Sequence, residues 1–313
     1  MMEIERTKRL LEVSLGVRPG ESVLVVTDDS TEAIGRMVWR AALALDAQAV
    51  LMTMPTATHS GVEPPEVVAA AMARADVVIV PTAHSITHTN ARRIAVEHGA
   101  RLATMPGITE DMFVRGAVTA DYDEVERLTL QLTALLDAAD SARIEKDGLT
   151  LHFDLRGRGG VPSTGKYLLP GQSGNLPSGE AYIAPVENGT HGEIIVDGSF
   201  VGLGKLDAPL RLRIENGVLQ SVQGPRSDEL GILFDQPENG TVGELGIGTN
   251  REASLTGIIL EDEKIYGTVH VAFGTNITFG GTNEAGCHLD GVILQPTLYI
   301  GEQKVLDQGV FVL

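Results

Sequence analysis

The sequence predicts an open parallel α/β sheet followed by a β-rich domain. Three observations carry this. Short apolar runs alternate with amphipathic helical patterns in the first half. Only seven of the 36 glycines precede residue 147. Beyond that point, period-two patterning and turn dipeptides replace helical spacing. The shift puts one boundary at residues 140–148, giving an α/β domain over 1–145 and a β-rich domain over 146–313.

In order, residues 3–16 read as a helix and 21–27 (ESVLVVT) as a buried strand. Residues 31–45 form an amphipathic helix and 49–53 a second strand. Residues 64–75 form a helix whose prolines stand at its start, where a missing N–H does no harm. Residues 76–80 (DVVIV) are a third strand, and 90–98 a helix stopped by Gly99. Residues 101–104 are a fourth strand, and 121–139 a long helix led by Asp121. Strands alternating with helices give a parallel sheet covered on both faces, with ligands beyond the carboxyl ends of its strands. The loop after the first strand, TDDSTEA, has no glycine cluster, so a dinucleotide fingerprint is absent, as is a P-loop.

The second half predicts strands at 149–156, 193–196, 210–214 and 218–222, the last two joined by the hairpin signal Glu215-Asn216-Gly217. Further strands are expected at 257–260, 265–273, 292–300 and 310–313, with one short helix near 227–234.

Charge and composition exclude several classes. Twenty-four basic against 42 acidic residues give a net charge of −18, which opposes nucleic acid and anionic membrane surfaces. No apolar run of about 18 residues suggests a membrane span. The charged start MMEIERTKRLL lacks a secretory core, and the lone Cys287 allows no internal disulfide or multi-thiolate metal site. A cytoplasmic protein is expected.

Candidate chemistry lies in the β-rich half. His288 and Asp290 are two apart, so on an extended chain an imidazole and a carboxylate share one face. A strand end with a hydrogen-bonded His–Asp pair fits the same pattern. His270 shares a face with Tyr266, Thr268 and Ala272 in IYGTVHVAF. Glu244 stands among small and apolar residues, where a carboxylate needs a partner, and Glu180 follows the turn Pro-Ser-Gly. As a set, these five offer carboxylate oxygens and imidazole nitrogens without thiolate, a donor list suited to Zn²⁺, Co²⁺ or Mn²⁺. The Glu261-Asp262-Glu263 run reads as a solvated turn, with Lys264 neutralising part of it or reaching the site.

These motifs carry a resemblance. Residues 175–185 (NLPSGEAYIAP), 243–250 (GELGIGTN), 262–273 (DEKIYGTVHVAF), 279–281 (FGG) and 288–290 (HLD) resemble, in this order, metallo-aminopeptidases of the aminopeptidase T and aminopeptidase S type. Residues 78–92 (VIVPTAHSITHTNAR) and 104–107 (TMPG) extend the resemblance more weakly into the first half. It implies a hydrolase that removes N-terminal residues from peptides, and a homodimer. Two divalent ions would be held by Glu180, Glu244, His270, His288 and Asp290, and Glu180 would also pass the proton of the attacking water. The chain is shorter than those enzymes, and Ile277 stands about where they carry a tyrosine.

The sequence is also similar to the 2,5-dihydroxypyridine 5,6-dioxygenases. That resemblance implies one Fe(II) on His270, His288 and Asp290, a small-molecule substrate, and His88 in the α/β half as a base. A third reading is a metal-binding homologue without activity.

Overall fold

The computed structural model describes residues 2–313, with side chains from Ile4 onward. The fold is the expected mixture of a parallel α/β sheet and antiparallel sheets. It forms two compact units: residues 1–123 with 165–178, and 124–164 with 179–313.

In the first unit five strands lie parallel in the order Gln48–Met54, Ser22–Asp28, Val77–Thr82, Arg101–Pro106 and Ser173–Asn175. Val77–Thr82 is buried throughout, as a central parallel strand must be, whereas Gln48–Met54 alternates because it lies at the edge. Helix Glu32–Leu43 buries Ile34, Gly35, Val38, Ala41 and Ala42. A β-carbon on Gly35 would meet Thr27 Cβ at 2.7 Å, so glycine permits this close helix–strand approach. Helix Asn90–Glu97 is capped by Thr89, whose hydroxyl accepts from Arg92 N at 3.3 Å. Helix Glu110–Arg115 had no clear signal in the sequence.

The second unit contains two antiparallel sheets. The eight-stranded one runs Val218–Gln223, Leu210–Glu215, His191–Val196, Leu149–Asp154, Ser141–Lys146, Thr297–Ile300, Gln303–Asp307 and Val310–Phe311. The seven-stranded one runs Gly204–Lys205, Ser199–Phe200, His288–Ile293, Val269–Gly274, Val242–Gly248, Glu180–Ile183 and Gly160–Ser163. One core joins them: Ile194, Leu212 and Ile214 from the first, and Leu245, Ile247, Val269, Val271 and Phe273 from the second. The strand period of two therefore sends Glu244, His270 and Ala272 to the other face of the seven-stranded sheet.

Several expectations need correction. A single boundary at residue 145 falls inside the second unit. Helix Tyr122–Ala138, expected with the α/β half, sends Leu128, Leu132 and Leu136 into the β-rich core. Conversely, Ser173–Asn175 pairs with Leu102–Thr104 and extends the parallel sheet. Its three residues carry no local signal; the backbone groups of Arg101–Pro106 supply the reason it is a strand. The strand expected at 257–260 does not form; a helical turn, Ile259–Asp262, begins within it. The expected strand at 292–300 breaks near Gln295, whose φ is +48°. The strand expected from 265 begins at Val269. No helix among the described residues is long and apolar enough to cross a membrane.

Candidate metal centre

The five candidate side chains occupy adjacent strands of the seven-stranded sheet, and nearly every one faces a small residue. In the antiparallel register Glu180 lies opposite Gly248, His270 opposite Gly246, Glu244 and Asp290 each opposite Ala272, and His288 opposite Gly274. Small cross-strand neighbours leave lateral room for the large polar groups to converge. A β-carbon on Gly246 would stand 2.0 Å from His270 Nε2, and one on Gly248 would stand 2.0 Å from the Ile265 carbonyl oxygen. The motif GELGIG thus supplies one carboxylate and two clearances, one for an imidazole and one for the backbone at Lys264–Ile265.

All five residues meet. His270 Nε2 is 3.1 Å from Glu244 Oε1 and 3.4 Å from Glu180 Oε2. His288 Nε2 is 3.4 Å from Glu244 Oε2 and 3.6 Å from Asp290 Oδ1. Donor atoms of Glu244, His270 and Asp290 lie within 4.8 Å of one another, as do those of Glu180, Glu263 and His270. Two potential ion positions therefore share His270.

Burial makes the cluster electrostatically costly. The side chains of Glu180, Glu244 and Asp290 are at most 8% exposed, and His270 is fully buried. Burial alone would lower the pKa of His270, but the hydrogen bond to Glu244 and the charges of Glu180 and Glu244 push it up to about 9. For His288 burial is likewise outweighed, chiefly by Asp290 and then Glu244, and its pKa is raised. Burial would raise Glu244; its hydrogen bonds to both imidazoles hold it down to about 2. His288 Nδ1–H donates to the Thr275 carbonyl at 2.9 Å, which turns Nε2 toward the cluster. Glu180 Oε2 and Asp290 Oδ1 are buried without a hydrogen-bond partner. Two orphaned carboxylate oxygens beside imidazole nitrogens fit a divalent cation, whose coordination would satisfy them.

The 261–264 run is not the solvated turn expected of it. Glu261, Asp262 and Lys264 are buried. Asp262 accepts from Thr256 N at 2.7 Å and Gly257 N at 2.8 Å, pinning the preceding loop. Lys264 Nζ donates to Glu180 Oε1 at 2.5 Å and to Glu263 Oε1. Burial, together with the charges of Glu180 and Asp290, raises the Glu263 pKa to about 8 against the pull of Lys264. Glu263 was missed as part of the cluster. The available signal was a charged run wedged between the apolar GIIL and the strand bearing His270.

His88 lies in the first unit, in the turn between strand Val77–Thr82 and helix Asn90–Glu97. Cys287 is half-buried, with Sγ 3.9 Å from the Asn239 carbonyl oxygen. Ile277 is half exposed. Phe279 stands edge-on to His288 at 6.0 Å between centroids, and Tyr182 stands edge-on to Phe279 at 5.3 Å.

Comparisons with known proteins define the family and the fold. The family model described as NicX, 2,5-dihydroxypyridine 5,6-dioxygenase, matches residues 4–313, and this chain belongs to that family. A curated 2,5-dihydroxypyridine 5,6-dioxygenase of Pseudomonas putida KT2440 is 24% identical over 209 residues, 60% of this chain and 58% of that protein. The alignment thus spans less than two thirds of that relative. The solved structure of 2,5-dihydroxypyridine dioxygenase from the same organism superposes with a TM-score of 0.84 at 20% identity, covering 99% of this chain and 96% of the other. AmpT from Thermus thermophilus superposes with a TM-score of 0.74 at 16% identity, covering 100% and 99%. At these identities the two structures establish the fold. Of the two resemblances seen in the sequence, family membership falls to the dioxygenases.

Proposed function

We propose that this protein is a ring-cleaving dioxygenase that holds one Fe(II) through His270, His288 and Asp290 and acts on a dihydroxypyridine-like ring. The observation that carries the reading is the approach of His288 Nε2 to the unpartnered Asp290 Oδ1 at 3.6 Å, beside the buried His270. Two imidazoles and one carboxylate would supply three donors to the ion and leave its other positions to substrate and O₂. Fe(II) bound by these residues would supply the redox chemistry needed to combine O₂ with an electron-rich ring.

The chain's own residues supply orientation and access. Thr275 fixes the His288 tautomer through its carbonyl. His288 is 30% exposed while His270 is fully buried, so the cluster opens on the His288 side. Phe279 and Tyr182 stand on that side and offer aromatic surface to a planar ring. The base role that the resemblance gives His88 belongs to the same proposal, as does the homodimer. His88→Ala should lower turnover with iron content unchanged, and sedimentation tests the dimer.

A second reading, a two-ion hydrolase, is favoured by one observation: the two donor groups that share His270. The readings separate by experiment. Protein loaded with Fe(II) under anaerobic conditions and then given O₂ and 2,5-dihydroxypyridine should consume O₂ as the ring absorbance disappears. Glu180→Gln combined with Glu244→Gln should still bind one Fe(II). No O₂ uptake, together with cleavage of aminoacyl chromogenic substrates with Zn²⁺, Co²⁺ or Mn²⁺, would reverse the assignment.

A further inference from the structure

We propose that the Lys264 ammonium is a built-in substitute for a second metal cation, and that it limits this carboxylate cluster to one divalent ion. The inference rests on the reading of His270, His288 and Asp290 as the resident site, and it concerns the other half of the cluster.

Glu180, Glu263 and His270 bring donor atoms within 4.8 Å of one another, a grouping that could close around an ion. Lys264 Nζ already occupies it, donating to Glu180 Oε1 at 2.5 Å and to Glu263 Oε1. The lysine is fully buried, so no solvent screens its charge. A divalent ion needs carboxylate oxygens at about 2.0–2.2 Å and would have to share the oxygens that the ammonium holds. Two cations on the same pair of carboxylates repel strongly in a buried setting. Lys264 therefore excludes a second ion by charge and by occupation. Glu180 Oε2 remains, buried and without a hydrogen-bond partner, 3.4 Å from His270 Nε2.

The backbone shows that this placement is built. Lys264 N donates to the Glu261 carbonyl at 3.0 Å, and the Lys264 carbonyl accepts from Asn250 N at 2.8 Å. The Ile265 carbonyl lies where a β-carbon of Gly248 would be, so the segment can rest against the strand only because residue 248 is glycine. The backbone that carries Lys264 is thus seated against a strand position that Gly248 keeps clear.

The test uses the full-length chain in chelator-treated buffer, titrated with Mn²⁺ and with Zn²⁺. The parent should bind one ion per chain. Lys264→Met, which keeps length and removes charge, should bind two, and Glu180→Gln added to it should abolish the second. A parent with one ion and a Lys264→Met variant also with one would overturn the lysine inference and leave the proposed function standing. Two ions in the parent would overturn both. A parent without any ion would overturn the proposed function, and the lysine inference would then stand or fall on whether Lys264→Met gains one.

Removing one partner of a buried ion pair can unfold a protein, so a second variant is needed. Glu263→Gln keeps Lys264 and its bond to Glu180, and the amide oxygen can still accept from the ammonium. Because Glu263 Oε1 accepts from the lysine, one-ion affinity should stay near that of the parent. A tenfold or greater loss in that variant would make Glu263 a ligand of the resident ion and overturn the inference.

Discussion

Gly246 lies directly across the antiparallel pair from His270, and a β-carbon at Gly246 would stand 2.0 Å from His270 Nε2. The imidazole occupies the space that any other residue at 246 would fill. Gly246→Ala must then displace the ring or spread two central strands, and rings buried in a sheet have few alternative rotamers. We expect metal affinity to fall at least about tenfold, with a stability loss of about 1–3 kcal/mol. Metal titration and urea unfolding of the variant check this; parent-like affinity would contradict the clearance argument.

Asp290→Ala should separate metal binding from folding. Asp290 Oδ1 is buried without a hydrogen-bond partner, and its charge acts chiefly on His288 beside it. Strand His288–Ile293 keeps its backbone ladder to Val269–Gly274 in the variant. Losing a direct anionic ligand should lower Fe(II) affinity by about 100-fold or more, beyond what losing an outer partner costs. Circular dichroism should be unchanged. Retained affinity would remove Asp290 from the proposed ligand set.

Asp28 gives the α/β unit an acid-sensitive tie. Its Oδ1 accepts from Ser30 N at 3.0 Å and Thr31 N at 3.1 Å, and Oδ2 accepts from Ala83 N at 2.7 Å. Burial would raise its pKa, but the hydrogen bonds from Ser30, Ala83 and Thr31 outweigh that and hold it below 3.8. A depressed folded pKa means stability that is fully present above 3.8 and lost as pH falls through the folded value. Asp28→Asn leaves one donor facing the Ala83 amide and should cost about 1–3 kcal/mol at neutral pH. The gap to the parent should narrow below pH 3.8 in denaturant unfolding. A gap that does not change with pH would show that the charge is not what matters.

Gly174→Val tests whether residues 165–178 belong to the α/β unit. A β-carbon at 174 would stand 2.3 Å from the Tyr167 hydroxyl oxygen, which donates to the Asn175 carbonyl at 2.8 Å. Overpacking there should cost about 1–3 kcal/mol and loosen strand Ser173–Asn175. Amide exchange should speed up at Leu102 and Leu176, which donate to Gln172 and Thr104, and stay slow at Val271. Equal acceleration in both units would contradict the division.

Much of this was legible in the residues. The alternation of apolar runs and helical patterns determined the parallel sheet, because buried central strands need continuous apolar side chains. The period of two along GTVHVAF and HLD determined that His270, His288 and Asp290 project from strand faces, with Val269, Val271 and Phe273 going to the core. The order of NLPSGE, GELGIGTN, GTVH and HLD identified the five residues that meet. Tertiary structure decided what depends on long-range pairing. The three-residue strand Ser173–Asn175 exists because Arg101–Pro106 offers it unpaired backbone groups, and helix Tyr122–Ala138 joins the β-rich core because Leu128, Leu132 and Leu136 find their partners there. Lys264 is the sharpest case. The sequence leaves Lys264 two roles, neutralising the acids beside it or reaching the site, and only the approach of Glu180, 84 residues away in sequence, makes it a buried cation inside the cluster. Periodicity is local and can be read along the chain; the neutralisation of a buried charge depends on which distant groups the fold brings to it.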